Sequence, residues 1–287
     1  MTIRSFVLLS VLALLACAKP AHAAQSYDNC AGFITTLPAI ISAQGTWCLN
    51  KDLNTALTSG NAITINANNV TLDCNDFKLG GLAAGLATQT IGVFATDRVN
   101  LTIRHCNIRG FVTGIFLTGA LSGGHAVEDN RLDGNTDVGM DIEGDGSVVR
   151  RNRIFDTGGS TVHSDFDGIY TSGSVDVLDN TVSGVVATSG SNGYAIGMFL
   201  GGNVVSGNHV SGLVPDGTGV AWGIHMNSTG RFFLTDNNLL GDGSSGSEGL
   251  SCIPPGVPYG RAKDNVVSGF ATGNFNCGDA GGNDISP

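Results

Sequence analysis

The residues DNRLDG at 129–134 decide the fold, because close variants of this asparagine phrase recur along the chain. Its relatives are DNTVSG at 179–184, GNHVSG at 207–212, DNNLLG at 236–241 and DNVVSG at 264–269, with shorter matches at 74–77, 105–108 and 151–154. The second residue of the phrase is asparagine in all but one copy. It falls at positions 75, 106, 130, 152, 180, 208, 237 and 265. The spacings between these positions are 31, 24, 22, 28, 28, 29 and 28 residues. A phrase that returns at such intervals indicates an internal repeat.

A second, glycine phrase alternates with the asparagine phrase. It is a glycine followed by an apolar residue, a variable residue and usually another apolar residue: GIFL at 114–117, GMDI at 139–142, GIYT at 168–171, GMFL at 197–200, GIHM at 223–226 and GLSC at 249–252. Short segments with a period of two and no sustained 3.6 period indicate strands separated by turns. In a repeat of this length they predict a parallel β-solenoid. We expect the asparagine to take the left-handed turn conformation and to bond through its amide to its counterpart one coil away.

These two phrases resemble the right-handed parallel β-helix family, which includes pectate-lyase-like (pectin-lyase-like) and NosD-like repeat proteins. The resemblance covers about residues 61–270. It implies an all-β fold, a single-stranded right-handed parallel β-helix of about eight or more coils with capped ends. We expect an N-terminal cap at 24–60 and a C-terminal tail or cap at 271–287. The fold by itself is compatible with many activities.

The first 23 residues have the pattern of a secretory signal peptide. Arg4 supplies a positive charge, residues 6–18 are almost wholly apolar, and the Ala-His-Ala sequence at 21–23 fits the small-x-small cleavage rule. The apolar run is shorter than the roughly 20 residues that cross a membrane, and no second such run follows. We therefore expect a secreted or periplasmic protein with no membrane span. The alternative is a bacterial lipoprotein box at 14–17, which would lipidate Cys17 and anchor the protein to the outer membrane.

Glycine is abundant in this chain and charge is scarce. Of its 287 residues, 43 are glycine, about twice the average share, and 13% are charged, about half the average. The net charge of −10 argues against nucleic acid as a partner, since phosphate binding relies on lysine and arginine. Removal of residues 1–23 takes away two basic residues and no acid, which changes the net charge to −12. Neutral glycans, cations and proteins remain as partners, and the sequence does not predict an oligomeric state.

Six cysteines follow the predicted cleavage site, and an even number in an exported chain favours three disulfides. Cys106 stands in the asparagine position, and Cys74 lies beside that position one coil earlier. Diagonal neighbours on adjacent strands are about 6 Å apart, which suits a disulfide. The expected pairs are Cys74–Cys106 between coils, Cys30–Cys48 in the N-terminal cap and Cys252–Cys277 at the C-terminal end.

The third residue of each glycine phrase is expected to face outward, because the apolar residues on either side of it point inward. With the matching residue of the preceding coil, this outward row is Phe94, Phe116, Asp141, Tyr170, Phe199, His225 and Ser251. Long, variable segments enter these strands at 157–167, 185–195 and 213–222, and such insertions often mark the binding face of a solenoid. Aromatic faces suit apolar sugar surfaces. The candidate sugar-binding residues are Phe116, Tyr170, Tyr194, Phe199 and Trp222. The alternative is that the segments fold over these rings and bury them.

Acids gather on the same face between residues 137 and 167. Two carboxylates about 6.5–9.5 Å apart would suit an inverting glycosidase, one acting as the acid and the other activating water. The candidates for this chemistry are Asp137, Asp141, Asp165 and Asp167. The alternative is a solvated acidic face in which aspartate serves as a turn residue.

The same acids could hold Ca²⁺, a hard cation that prefers oxygen ligands. The candidate ligands are Asp141, Glu143, Asp165 and Asp167. Calcium could neutralise a uronate in a lyase reaction while His163 or His225 abstracts the proton. No lysine or arginine stands in the outward row, so the usual basic residue of a lyase has no counterpart there.

Residues 135–141, NTDVGMD, resemble the Asn-Thr-Asp-Gly-Ile-Asp phrase of polygalacturonase-type β-helix hydrolases, with one extra residue. Residues 165–169, DFDGI, fall where that family has paired aspartates, but here the two acids are separated. The Gly-His-Gly and Arg-x-Lys phrases of that family are missing from this chain.

The sequence thus predicts an exported β-helix protein that binds or cleaves a polysaccharide or cell-surface glycan on its Gly-Ile strand face, by lyase-like or hydrolase-like chemistry. The alternative is a non-catalytic cell-surface or periplasmic scaffold of the NosD-like type, with the aromatic row as a protein-contact stripe.

Overall fold

The computed structural model of the protein describes residues 29–228, 230–253 and 260–286. The predicted signal peptide at 1–23 and the alternative lipidation site at Cys17 lie outside the described residues. In the described part of the chain, no helix has the length and apolar character needed to cross a membrane.

The described chain is almost entirely β-structure, with one 3₁₀ turn at Leu82–Ala84. In chain order the strands are β1 Gly32–Ile34, β2 Ala39–Ile41, β3 Gly45–Leu49, β4 Leu53–Asn54, β5 Ser59–Ile65, β6 Val70–Asp73, β7 Lys78–Gly80, β8 Gln89–Thr96, β9 Thr102–Arg104, β10 Asn107–Arg109, β11 Thr113–Thr118, β12 Ala126–Glu128, β13 Arg131–Asp133, β14 Val138–Glu143, β15 Ser147–Arg150, β16 Arg153–Gly158, β17 Phe166–Ser172, β18 Val175–Leu178, β19 Thr181–Val186, β20 Ala195–Leu200, β21 Val204–Ser206, β22 His209–Val214, β23 Ala221–Asn227, β24 Phe232–Thr235, β25 Asn238–Leu240, β26 Glu248–Ile253, β27 Gly260–Lys263, β28 Val266–Ser268, β29 Thr272–Phe275, β30 Gly278–Asp279 and β31 Asp284–Ser286.

These strands form three parallel sheets that run the length of the molecule. Sheet 1 has the order β1-β3-β6-β9-β12-β15-β18-β21-β24-β27-β30, sheet 2 β2-β5-β8-β11-β14-β17-β20-β23-β26-β29, and sheet 3 β4-β7-β10-β13-β16-β19-β22-β25-β28-β31. In each coil the chain visits sheet 1, then sheet 3, then sheet 2. The predicted all-β, right-handed parallel solenoid is confirmed, with about nine turns. Parallel pairing extends from Gly32 to Ser286 and so includes residues on either side of 61–270.

The glycine phrases form the strands of sheet 2, and their apolar residues fill the core. In β11, Ile115 and Leu117 are fully buried while Phe116 between them is partly exposed. The glycines are required by close packing between coils. A Cβ atom on Gly139 would lie only 2.4 Å from the carbonyl oxygen of Gly168 in the next coil. A larger residue would therefore push two coils apart.

The asparagine phrases form a buried amide ladder at the turn between sheets 1 and 3. In each step the side-chain nitrogen donates to the amide oxygen of the next coil, as from Asn152 to Asn180 at 3.0 Å. The same oxygen of Asn180 accepts the backbone N–H of Asn152 at 2.9 Å. The ladder consists of Asn130, Asn152, Asn180, Asn208, Asn237, Asn265 and Asn283.

The structure corrects two details of the ladder prediction. The left-handed residue is the one before the ladder asparagine, as at Asp129 (φ 55°) and Asp179 (φ 55°), while the asparagine itself points inward. Asn75 stands outside the ladder, because two extra residues separate β6 from β7 and its side chain instead donates to the carbonyl oxygen of Leu49.

All three predicted disulfides are present. Cys74–Cys106 joins successive coils with the Cα atoms 4.7 Å apart, within the usual range. The other two pairs lie near the ends of the described solenoid, Cys30–Cys48 and Cys252–Cys277. Three disulfides point to an extracellular or periplasmic location.

Candidate functional site

The outward row predicted on sheet 2 exists in the expected register. The pairing places Phe94, Phe116, Asp141, Tyr170, Phe199, His225 and Ser251 opposite one another on seven successive strands. The rings of Tyr170 and Phe199 stack at 5.2 Å between centroids, almost parallel, and both side chains are partly exposed. The inserted segments therefore leave part of this aromatic surface accessible.

At the C-terminal end of the row the rings become buried. His225 is 3% exposed, because it lies between Phe199 at 4.9 Å and Trp222 at 4.1 Å. Trp222 in turn contacts Tyr194 at 5.0 Å, and both are partly exposed. Burial also lowers the pKa of His225 to about 4. His225 faces outward as the alternation predicts, but a neutral, covered imidazole is poorly placed to abstract a proton from a polymer.

The acids form a cleft beside the aromatic row. Asp167 in β17 pairs in register with Val138 of β14, so Asp137, one residue before Val138, is its diagonal neighbour on the adjacent coil. Asp165 stands two residues before Asp167 at the entry to β17. The cleft has a volume of about 560 Å³. Its lining includes Asp137, His163, Asp165, Asp167 and Ser191. The structure thus brings together three of the four carboxylates predicted for catalysis and one of the two histidines.

Asp137 and His163 contact each other in the lining of the cleft. Oδ2 of Asp137 lies 3.5 Å from Nδ1 of His163. Burial raises the pKa of Asp137 to about 6, His163 works against that rise, and the charge of Asp165 adds to it. Near neutral pH this carboxyl group exchanges its proton readily, which is the property needed in a general base.

Asp167 is the second carboxyl group of the cleft with a raised pKa. Its Oδ1 is buried and has no protein hydrogen-bond partner among the described residues. Burial, followed by the charges of Asp137, Asp141 and Asp165, holds the pKa of this carboxyl group well above its usual range. Asp167 is therefore expected to carry a proton at neutral pH, as a general acid must.

Asp141 lies in the outward row, between Phe116 and Tyr170 on the neighbouring strands. Its Oδ1 is buried without a described protein partner, and burial, with a contribution from Glu143, raises its pKa to about 7. Burial and the neighbouring carboxylates, led by Asp141, also raise the pKa of the Tyr170 hydroxyl. The aromatic row and the acid cleft are thus electrostatically connected.

The predicted calcium ligands do not converge. Glu143 is held by neighbouring groups, accepting hydrogen bonds from the Thr118 hydroxyl and the Gly119 amide. Asp165 accepts the backbone N–H of Tyr194 at 3.2 Å. Within the described ranges, no three histidine, cysteine, aspartate or glutamate side chains are close enough to hold a metal ion.

Sequence reasoning missed Gln89, which contacts His163 from three coils away. The Gln89 amide nitrogen lies 3.2 Å from Nε2 of His163. Gln89 thus contacts one ring nitrogen of His163, while the other, Nδ1, lies 3.5 Å from Oδ2 of Asp137. A second bond, from the backbone N–H of Thr161 to the carbonyl of Leu86, fixes the same loop. The two residues lie 74 positions apart, and no local motif signals their contact.

The comparisons with known proteins define the family. The sequence model of the right-handed β-helix region matches residues 50–220. A search of curated proteins finds no significant match. Among solved structures, the crystal structure of the Agl-KA catalytic domain is similar with a TM-score of 0.40 at 13% identity, over 91% of this chain and 59% of that chain. At this TM-score the likeness carries no argument about activity. Because the family match covers more than half of the chain, this protein belongs to the right-handed β-helix family.

Proposed function

We propose that the protein is an exported polysaccharide hydrolase whose acid cleft, together with the aromatic row of sheet 2, forms one glycan site. The observation that carries the proposal is the pair Asp137 and Asp167. Both residues line one cleft as diagonal neighbours on adjacent coils, and both carboxyl groups have raised pKa values, that of Asp167 well above its usual range. Two acids with different proton affinities are the requirement of glycoside hydrolysis.

In the proposed reaction, Asp167 donates its proton to the glycosidic oxygen as the bond to the leaving sugar breaks. Ionised Asp137 accepts a proton from the attacking water, and His163 stabilises that ionised form. The glycosyl group is thereby transferred to the water oxygen. The products are two shorter saccharides, one of which has a new reducing end. The Cα atoms of diagonal neighbours are about 6 Å apart. The distance between the two carboxyl groups therefore depends on their side-chain rotamers. The anomer formed first would distinguish inversion from retention.

The substrate is proposed to be neutral. Three aspartates line the cleft, and no lysine or arginine belongs to its described lining. A polyuronate would meet like charge there, and elimination would lack a cation to neutralise the uronate carboxylate. Tyr170 and Phe199 offer partly exposed ring faces next to the acids, and such faces suit the apolar side of a neutral sugar.

The test is a screen of the purified protein on neutral and acidic polysaccharides. Reducing ends report hydrolysis, and ultraviolet absorbance of an unsaturated product reports elimination. We expect reducing ends from a neutral polysaccharide, no unsaturated product, and the same rate with a chelator or with added Ca²⁺. An unsaturated product from a polyuronate, lost on chelation, would contradict the proposal and favour a calcium-dependent lyase. No product and no binding on any glycan would contradict it and favour the scaffold alternative.

A further inference from the structure

Sheet 3 carries a cationic surface that the acid cleft does not use. In an acidic chain, adjacent strands β7, β10, β13 and β16 each contribute a basic residue. Lys78, Asn107, Arg131 and Arg153 stand opposite one another in one row. Arg109 lies in the row two residues further along, followed by Asp133 and Phe155 on the next coils.

Two adjoining hollows form a groove among these residues. The first has a volume of about 290 Å³ and the second about 310 Å³, and Lys78 and Arg109 line both. Arg131 completes the basic side of the first hollow, and Asn107 adds a neutral amide. The second is lined by Asn54, Thr55, Gly80, Leu82 and Ala83. We call this the arginine groove.

Arg109 is the basic residue at the centre of the groove, and it lacks an acidic partner. Lys78 lies 3.6 Å from Asp52, and Arg131 lies 3.1 Å from Asp133. For Arg109 the described residues provide no ion pair, and its Nε is buried without a hydrogen-bond partner. Since Arg109 lines both hollows, its guanidinium group is the unpaired cation that an anionic acceptor in the groove would meet.

Phe155 stabilises the outer edge of the groove. The guanidinium groups of Arg131 and Arg153 lie 4.9 Å and 5.5 Å from the centre of its ring. A cation held over an aromatic ring loses less conformational freedom on binding an anion. Arg153 lies beside the groove over the Phe155 ring and lines neither hollow.

The acids of the groove restrict the charge of its ligand. Asp52, Asp76 and Asp133 also line the first hollow, so a densely charged polyanion would be repelled. A single carboxylate matches the planar donor fork of an arginine. The amide and hydroxyl side chains of Asn54, Asn107 and Thr55, with Leu82 beside them, suit the hydroxyl groups and apolar face of a sugar ring.

We propose that the arginine groove is a second saccharide site, which binds one sugar carboxylate on Arg109. This site would let an exported protein hold an acidic side branch or neighbouring chain of a cell-surface glycan. It lies on a different sheet from the acid cleft, so the two sites can be tested separately.

The test is calorimetric titration of the disulfide-bonded protein with cellobiuronic acid and with cellobiose, which differ in one carboxylate. We expect binding of the acid, and at least about tenfold weaker binding of the neutral sugar. Arg109→Gln should weaken binding of the acid about tenfold or more, whereas the matched charge change Arg261→Gln, on sheet 1, should not. Lys78 also lines both hollows, so Lys78→Gln should weaken binding as well, with no change in thermal stability. This variant keeps the test valid if Arg109→Gln fails to fold.

Four results would overturn the proposal. Three are equal affinities for the two sugars, unchanged affinity in both Arg109→Gln and Lys78→Gln, and equal affinity for inorganic sulfate, which would indicate a simple anion site. The variant Asp167→Asn should bind cellobiuronic acid like the wild type. If that variant alone lost binding, the acid would be bound in the acid cleft and this site would be refuted.

Discussion

At the scale of single residues, the acids of sheet 2 are distinguished by burial. Asp141 and Asp167 each hold a carboxyl oxygen in a buried position without a hydrogen-bond partner in the described chain. The outward direction of Asp141 followed from the alternation of the glycine phrase. Its burial did not, because it depends on how segments from other coils pack over the strand. For the same reason the contact of Gln89 with His163 had no local signal.

Asp141→Asn should stabilise the protein at alkaline pH. The pKa of Asp141 is raised from 3.8 to about 7 in the folded protein, so the folded state binds this proton more tightly than the unfolded state. The contribution of Asp141 to the free energy of unfolding is therefore largest below about pH 4 and is lost as the pH rises to about 7. Asparagine keeps the neutral form at every pH. Urea unfolding should show a gain of about 1–2 kcal/mol at pH 8 and almost none at pH 4. Asp284→Asn, at an exposed position, serves as the control, and an equal gain in both variants would contradict this account.

His163→Gln should move the acidic limb of the pH–rate profile. If ionised Asp137 is the base, kcat/KM should rise with pH through the pKa of Asp137, about 6. His163 lowers that pKa, so its replacement by a neutral residue should move the limb to higher pH. The measurement is kcat/KM against pH for the wild type, His163→Gln and His209→Gln, the last on sheet 3. A limb that stays in place or moves to lower pH in His163→Gln would refute the role of Asp137.

At the scale of elements, each coil is fixed by a turn residue, a ladder asparagine and a close-packed glycine. The repeated phrases predicted this unit because each demands a particular residue type at a fixed place. The left-handed conformation was predicted one residue too late. Aspartate, arginine and glycine all precede ladder asparagines, and this variety conceals a common backbone geometry. Asn75 matched the phrase but not the ladder, because a local match does not reveal two inserted residues.

Asn180→Ala should lower the free energy of unfolding more than the same substitution at the end of the ladder. Asn180 donates to the Val149 and Leu178 carbonyls and to Asn208, and it accepts from Asn152. Alanine would leave buried groups of both neighbouring coils unpaired, for a loss of about 3 kcal/mol. Asn283→Ala should lower the free energy of unfolding by only about 1 kcal/mol, because the Asn283 side chain is less buried and no described ladder residue lies beyond it. Urea unfolding of the two variants checks this, and equal losses would show that the ladder is not cooperative.

At the scale of the whole molecule, the solenoid is a row of coils that mainly contact their neighbours. Stability in such a row is lowest at the ends, where a coil has only one neighbour. Cys30–Cys48 and Cys252–Cys277 lie near those ends. The sequence predicted the pairs, since the repeat assigns each cysteine to a coil. It could not predict the arginine groove, because its residues come from four coils and Arg131 and Asp133 occupy variable positions of the asparagine phrase.

Reduction of the disulfides should loosen the ends more than the centre. Hydrogen exchange followed by mass spectrometry should show faster exchange in residues 32–65, 248–253 and 260–279 after reduction. Residues 147–214, which contain no cysteine, should change little. A uniform increase along the chain would mean that the solenoid unfolds as one unit and that the end disulfides do not act locally.

The central claim is that Asp167 is the acid of a polysaccharide hydrolase. The most direct measurement is the rate of reducing-end release from the neutral polysaccharide that the screen identifies, with Asp167→Asn and Asp145→Asn compared with the wild type. Asp145 is an exposed acid outside the cleft, so it controls for the loss of one negative charge. We predict that Asp167→Asn lowers kcat by about 100-fold or more with little change in binding, and that Asp145→Asn leaves both unchanged. Full activity in Asp167→Asn would contradict the account.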